Sequence, residues 1–480
     1  MNPDGAQELA ASTRALVVLP AGCGKTEMLA RLVAASPGRQ LVLTHTHAGI
    51  RTLRGRLATH GTSQSAARVA TIAAWALEYA RAHAVLGGFA AGRLDAMPSF
   101  DAAYQAATKI VSRPLGKRIL RATYAGVAVD EYQDCSRAQH ALIEALAAAL
   151  PCRVVGDPMQ SIFFFGSNDP VPWQVVEKTF PKLEVPLEPR RWATTNPALG
   201  SWLLNARTSL ERGQAVRLDE RVKGLQWVGA DDRVARIKSC REALKRVGKN
   251  ESLLVLGQFP RICHELARML GGGFVSVDEQ ERTDLNAWAR KIHASDGDGR
   301  ARLLVSLAKQ CKNGIPDSVG RIPIHGLPRV SASTRGSVRL LHEVKETNTP
   351  MALLRAHQAL HEEGRFTFRR QLWREGGQLL RAWSEDPQRD PVQIARQLTS
   401  QEKFRAGRVY GSLIVSRTLL AKGLEFDHVV VTGAGELDAE NLYVALSRAR
   451  RELTVLSPSA VLQPKRSATQ ARPRQGTLPL

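Results

Sequence analysis

Leu19-Pro20-Ala21-Gly22-Cys23-Gly24-Lys25-Thr26 is the stretch that decides how this 480-residue chain is read. An apolar run, Ala15–Leu19, leads into it, and a helical pattern from Thr26 to Val33 follows. A strand, a glycine-containing turn, Gly-Lys-Thr and then a helix form the setting that a phosphate-binding loop requires. N–H groups of the turn and of the exposed helix N-terminus can cradle phosphate oxygens. Lys25 would reach the outer phosphates, and the Thr26 hydroxyl would ligate Mg²⁺. Leu19 stands where the motif's first glycine usually stands. From this stretch alone, a glycine-rich turn that binds nothing is the competing reading.

The length calls for more than one core. Hydrophobic residues make up 44% and charged residues 23%, as in a water-soluble globular protein. Lys plus Arg outnumber Asp plus Glu by 67 to 45, a net charge of +22. Such an excess suggests a polyanionic partner, most economically nucleic acid, with a merely solvated basic surface as the alternative. No apolar run is long enough to span a membrane. Met1-Asn2-Pro3-Asp4 does not open a signal peptide. Cys23, Cys135, Cys152, Cys240, Cys263 and Cys311 are scattered with no Cys-x-x-Cys pair, so reduced thiols in a cytoplasmic setting are expected.

Outward from the loop, residues 1–80 read as β/α. Gln40–Leu43 is a strand ending in Thr44-His45-Thr46-His47-Ala48, and Val69–Ile72 is another, holding Thr71. Polar residues just past strand ends face the ligand crevice of an open parallel sheet. Residues 81–122 are Ala-rich and helical, with Lys109, Arg113, Lys117, Arg118 and Arg121 forming a basic face or a solvated one. From 123 the β/α pattern returns. Gly126–Val129 ends in Asp130-Glu131-Tyr132-Gln133-Asp134, two carboxylates at a strand end that suit Mg²⁺-nucleotide chemistry. Cys152–Val155 runs into Gly156-Asp157-Pro158-Met159-Gln160-Ser161-Ile162 and then Phe163-Phe164-Phe165. Those phenylalanines are either core or base-stacking groups. Further strands are expected at Ser252–Leu256, Phe274–Val277, Ser412–Val415, His428–Val431 and Leu453–Leu456. Residues 281–408 are mostly helical. Within them Arg365–Arg374 interleaves basic and aromatic residues, as a single-strand contact or as an amphipathic packing helix. The basic tail 463–480 has no acidic residue and is expected to be disordered.

Taken in order, Gln7, Pro20–Thr26, Thr44–Ala48, Thr71, Asp130–Asp134, Gly156–Ile162, Arg190-Arg191, Lys422-Gly423-Leu424-Glu425-Phe426 and Tyr443-Val444-Ala445-Leu446-Ser447-Arg448-Ala449 resemble the motif set of UvrD/Rep-type superfamily 1A DNA helicases. The resemblance implies an α/β fold with two RecA-like parallel-sheet motor domains, each carrying a small helical insertion. Motor domain 1A would take residues 1–80 and 123–188, with 81–122 as its insertion. Motor domain 2A would take 189–280 and 409–462, with 281–408 as its insertion.

The resemblance also implies roles by position. Gly22, Cys23, Gly24, Lys25 and Thr26 would hold the phosphates of ATP, with Thr26 and Asp130 on Mg²⁺. Glu131 would activate water, and Gln160 would sense the γ-phosphate. Arg448 would be an arginine finger from the second motor domain, with Arg191 as a further γ-phosphate contact. Gln7 would meet the adenine edge and Glu425 the sugar, and Arg190 stands where the family stacks a Tyr on adenine. Thr44, His45, Thr46, His47, Thr71, Phe163, Phe165 and Lys422 would touch DNA, although His45, His47 and Gly166 replace the family's usual residues.

The expected activity is ATP-dependent movement on single-stranded or forked DNA, 3′-to-5′, in repair, replication restart or recombination. The alternatives are a DNA-end-sensing ATPase that regulates a partner nuclease in phage defence, and a nucleotide-gated DNA-binding adaptor with little unwinding. Gln475–Leu480 resembles a peptide that docks on the bacterial sliding clamp. No membrane partner is expected.

Overall fold

Five apolar runs of the first half form strands β1 (Arg14–Val18), β2 (Gln40–Thr44), β3 (Ala67–Thr71), β4 (Gly126–Val129) and β5 (Cys152–Gly156). A computed structural model describes residues 3–63, 65–89, 100–162, 170–271, 273–277, 280–320, 332–404 and 412–465. The strands pair in the order β1-β5-β4-β2-β3, every pair parallel. Val18 lies opposite Gly156, Leu43 opposite Val129 and Thr44 opposite Thr71. That register brings the residues following all five strands to one edge of the sheet.

Both faces of the sheet are covered, which is why the strands are apolar throughout rather than alternating. Leu16, Leu41, Leu43, Val127, Val129 and Val154 point into one core with Trp75, Tyr104, Leu142 and Phe180. Val17, Val42, Ala128 and Val155 point into the other with Leu9, Met28, Leu29 and Leu53. This alternation follows from the two-residue period of a strand.

The stretch read as an insertion holds the helices Phe100–Ser112 and Pro114–Thr123, preceded by Ile72–Ala82 and Ala84–Gly87. Small residues let the helices close up. A Cβ on Gly116 would lie 1.8 Å from the Ile110 carbonyl oxygen. Lys109, Arg113, Arg118 and Arg121 are exposed on these helices.

The chain divides into two compact units. The first runs to Leu225 and takes in Gly435–Arg451 and the segment from Val461; the second is Gln226–Ala434 with Glu452–Ala460. The expected division at residue 189 therefore differs from the division by contacts. The reason is local: residues 189–225 and 435–451 are hydrogen-bonded to each other and to the loop that follows β1, as set out below. Two short strands, β6 (Val216–Arg217) and β15 (Val461–Leu462), pair within the first unit.

The second sheet consists of β7 (Leu225–Val228), β8 (Leu253–Leu256), β9 (Val275–Val277), β12 (Leu413–Ser416), β13 (Phe426–Val431) and β14 (Ala449–Leu456), in the order β7-β14-β13-β8-β12-β9, and belongs to the second unit except for Leu225 and Ala449–Arg451. The run β13-β8-β12-β9 is parallel. Among the described residues between β9 and β12, helices predominate, with the small ladder of β10 (Lys312–Asn313) and β11 (Phe366–Thr367) among them. These helices have their own core, with Leu304, Leu341, Leu353, Leu372, Trp373 and Leu379.

Arg365–Arg374 falls on β11 and the start of the helix Arg370–Glu385. It buries Phe368, Leu372 and Trp373, so its aromatics pack inward. His357 stacks on Trp373 at 4.0 Å between ring centroids, and burial pushes its pKa down to about 4. Among the described residues no helix is long and apolar enough to cross a membrane.

Candidate nucleotide site

Leaving β1, the chain turns through Leu19–Gly24 and enters the helix Lys25–Ala35. Gly22 and Gly24 sit at φ +73° and +88°, in the left-handed region that only glycine enters without strain. Space as well as torsion demands glycine at the first. A Cβ on Gly22 would lie 2.5 Å from the Trp192 ring. Lys25 is buried and donates from Nζ to the Leu19 carbonyl oxygen at 3.1 Å, closing over the loop. Thr26 is half-buried. Burial pushes the Cys23 thiol up to about 11, with Lys25 opposing, so Cys23 is a packed, unreactive part of the loop.

The two carboxylates sit at the end of β4. Asp130 is buried, and one of its oxygens accepts from the Glu131 N–H at 2.9 Å. Burial, then the neighbouring Glu131, pushes its pKa up to about 7, while Lys25 pulls it down. Glu131 adopts φ +52°, rare for a residue with a Cβ, and its carboxylate accepts from the Gln133 amide. The opposite end of that amide accepts the Asp157 N–H at 3.0 Å, tying the end of β4 to the end of β5.

Asp157 is the hub of a buried polar network. It accepts from the Gln160 amide at 2.8 Å, from the Met159 N–H at 3.2 Å, and from Arg207 Nη2 at 2.8 Å and Nε at 3.2 Å. Arg207 lies on the helix Pro197–Glu211 and also donates to Glu211 at 2.8 Å. The two carboxylates raise its pKa further, against the pull of burial, so it stays charged.

Two distant segments hold the loop from outside. The Tyr443 hydroxyl, on the helix Ala439–Leu446, accepts the Ala21 N–H at 2.8 Å. The Arg191 N–H donates to the Gly22 carbonyl oxygen at 3.0 Å, and the Arg191 side chain donates to the Ser447 carbonyl oxygen. Trp192 Nε1 donates to the Ala449 carbonyl oxygen at 2.7 Å. Asn196 Nδ2 donates to those of Lys223 and Arg451, both at 2.8 Å. Arg448 is buried in this same first unit, with Nε donating to the Val444 carbonyl oxygen at 2.9 Å and Nη2 to Ser447 Oγ at 2.8 Å. Arg190 lies along Gly24 and pairs with Glu188 at 3.3 Å, and its Nε is buried without a partner.

This donor set fits a Mg²⁺ nucleotide. Two left-handed glycines open a turn onto a helix N-terminus. A lysine, a threonine and a buried carboxylate follow, and the orphaned Arg190 Nε lies beside the loop.

Other expected site residues are spread more widely. Gln7 is exposed on the helix Pro3–Ala11. Lys422 and Glu425 belong to the second unit. Thr44 is buried at the end of β2. Thr46 caps the helix His47–Thr59 by accepting the Gly49 N–H, and Thr71 caps Ile72–Ala82 by accepting the Ala74 N–H, both at 3.0 Å. His45 Nε2 lies 3.5 Å from Cys135 Sγ, and His47 opens its helix half-buried. Phe163, Phe165 and Gln475–Leu480 lie outside the described residues.

Sequence reasoning assigned no individual role to Asp157, Gln133, Trp192, Arg207 or Tyr443. Asp157, Gln133 and Tyr443 lie within Gly156–Ile162, Asp130–Asp134 and Tyr443–Ala449, and that membership is their only mark in the sequence. Nothing local marked Arg207.

Residues 100–181, from the helical insertion through Asp130–Asp134 and Asp157–Gln160, match the family model of the UvrD/REP helicase N-terminal domain. Over that stretch the chain is similar to UvrD/REP helicases. Its α/β architecture with two large parallel sheets accords with two RecA-like domains. No curated protein matches the chain in sequence. Two solved structures are similar over 95% of it, an Arterivirus nonstructural protein 10 helicase and the same helicase in complex with DNA. Each is 10% identical with a TM-score of 0.32. The chain spans 62% and 63% of those chains, a likeness too slight to transfer an activity.

Proposed function

We propose that the chain is a DNA-dependent ATPase that moves along single-stranded DNA and separates strands, travelling 3′-to-5′. The observation that carries the reading is the grouping around one loop. Lys25 closes over it and pulls the Asp130 pKa down, and Tyr443 and Arg191 hold its backbone. Mg²⁺·ATP, when bound, supplies the phosphoryl group and the charge that these residues can meet. Lys25 and Thr26 would bind it, with Asp130 and Thr26 on the metal. Glu131, held by Gln133, would take a proton from water. Arg448 and Arg191 would add positive charge from the side of the Ala439–Leu446 helix. The net charge of +22 favours a polyanionic track.

The deciding experiment is ATP hydrolysis with and without single-stranded DNA, with Lys25→Ala and Glu131→Gln as controls. Hydrolysis indifferent to DNA would overturn the reading. Forks with a 3′ or a 5′ tail then test direction. A second reading, a nucleotide-gated DNA-binding adaptor, is favoured by Thr46 and Thr71, whose hydroxyls accept helix-capping N–H groups. It predicts nucleotide-dependent DNA binding with no strand separation on either fork. Titrating a sliding clamp against the chain lacking 475–480 tests a docking role for the tail, and adding a candidate nuclease to the fork assay tests a regulatory one.

A further inference from the structure

A cavity of about 570 Å³ lies at the far side of the first unit from the loop. It is lined by Arg39, Arg54 and Arg68, by Thr62, and by the nearly buried Leu57 and Val69 among others. Gln40 pairs with Ala67 where β2 and β3 begin, so the cavity opens at the start of these strands, whereas the loop lies beyond the end of β1. Four strand spacings and a strand length separate the two, roughly 20 Å across and 13 Å along the sheet.

The three guanidinium groups come from three different elements: the turn before β2, the helix His47–Thr59, and β3. Arg68 is paired with Glu78. Among the described residues neither Arg39 nor Arg54 pairs with a carboxylate. Arg39 lies 5.8 Å from the Tyr124 ring centroid, and Arg54 Nη2 only brushes the Val69 carbonyl oxygen at 3.5 Å. No carboxylate is among the lining residues. Thr62 is held by its N–H on the Leu57 carbonyl oxygen at 3.0 Å, and its Oγ1 is buried without a partner.

Forked cations match phosphate oxygens two at a time, a buried hydroxyl without a partner is costly, and the volume is that of a small-molecule site. We propose that this cavity binds a phosphomonoester of nucleotide size, its phosphate on Arg39 and Arg54 with Thr62 Oγ1, and its ring on Leu57 and Val69. Free mononucleotides and the phosphorylated 5′ end of a strand both carry this chemistry.

The test is calorimetric titration of the full chain with uridine 5′-monophosphate. Binding tighter than about 1 mM is expected. It should weaken at least about tenfold in Arg54→Gln, which removes an exposed side chain and leaves the fold intact. It should weaken a few-fold in Thr62→Val and stay unchanged in Lys25→Ala. Absence of binding, or weakening by Lys25→Ala but not by Arg54→Gln, overturns the proposal. An oligonucleotide with a 5′-phosphate against the same strand with a 5′-hydroxyl separates the sources. An Arg54-dependent preference for the phosphate assigns the cavity to strand ends, and equal affinity beside mononucleotide binding assigns it to free nucleotides.

Discussion

In the first unit β1 runs through Leu19–Gly24 into the helix Lys25–Ala35; in the second, β8 runs through Gly257–Phe259 into the helix Pro260–Leu270. Both are strand–turn–helix connections at the end of a parallel strand. The first turn is longer and holds two left-handed glycines, and an Ala21 N–H is fixed from outside by Tyr443. The second is short, Gly257 is not left-handed, and the helix opens on Pro260, which has no N–H to offer an anion. Phe259 is left exposed there instead. A RecA-like sheet supplies the place, and the turn's length, torsions and outside support distinguish the candidate phosphate site.

The largest expected effect tests that contrast by chemistry. Glu131→Gln should lower DNA-stimulated ATP hydrolysis by roughly 10²–10⁴-fold, the worth of a general base, while Phe259→Ala in the second turn should leave it near wild type. A comparable fall in both would break the comparison. Next, Arg207→Met strands the buried Asp157 carboxylate and should cost about 3–5 kcal/mol in denaturant unfolding. An unchanged midpoint would show that the hub does not brace the first unit.

The helical part of the second unit should respond to pH. His357 has a folded pKa of about 4, below its ordinary 6.5, because burial disfavours its charged form. Its stabilising effect is therefore complete above about 6.5 and is lost as pH falls toward 4. The loss is on the order of 3 kcal/mol, and His357→Gln should flatten it.

A glycine pair sharpens the contrast further. Gly22→Ala should cost about 1–3 kcal/mol and weaken nucleotide binding, through a strained φ and the Trp192 contact. Gly257→Ala, whose Cβ would lie 2.8 Å from Cys263 Sγ, should cost about as much by overpacking yet leave nucleotide affinity alone. The smallest effect is Thr71→Ala, about 1 kcal/mol of lost capping. If DNA affinity falls without that loss, Thr71 serves the track rather than the helix.

Much of the fold was legible because parallel strands buried on both faces are short apolar runs. β4 was placed at its observed bounds, and β1, β2 and β5 within one residue. The helix Pro260–Leu270 was also placed at its observed bounds. The turn after β1 and the acidic turn after β4 were legible because glycines and strand-end carboxylates are local signals.

The supports were not legible. Arg207 reaches Asp157 across 50 residues, and Tyr443 reaches Ala21 across 422, so no periodicity could join them. The same contacts move the boundary of the first unit past residue 189. In Arg365–Arg374 the alternation of basic and aromatic residues fitted two readings, and only the burial of Phe368 and Trp373 separates them.

The bond from Ala21 to Tyr443 also sets a schedule for biosynthesis. At about 5–20 residues per second, roughly 20–85 s of translation separate the two residues. For that interval the glycine turn exists on a nascent chain without its brace, while the second unit is being made. The braced form of this turn is thus completed late, when most of the chain has already been synthesised.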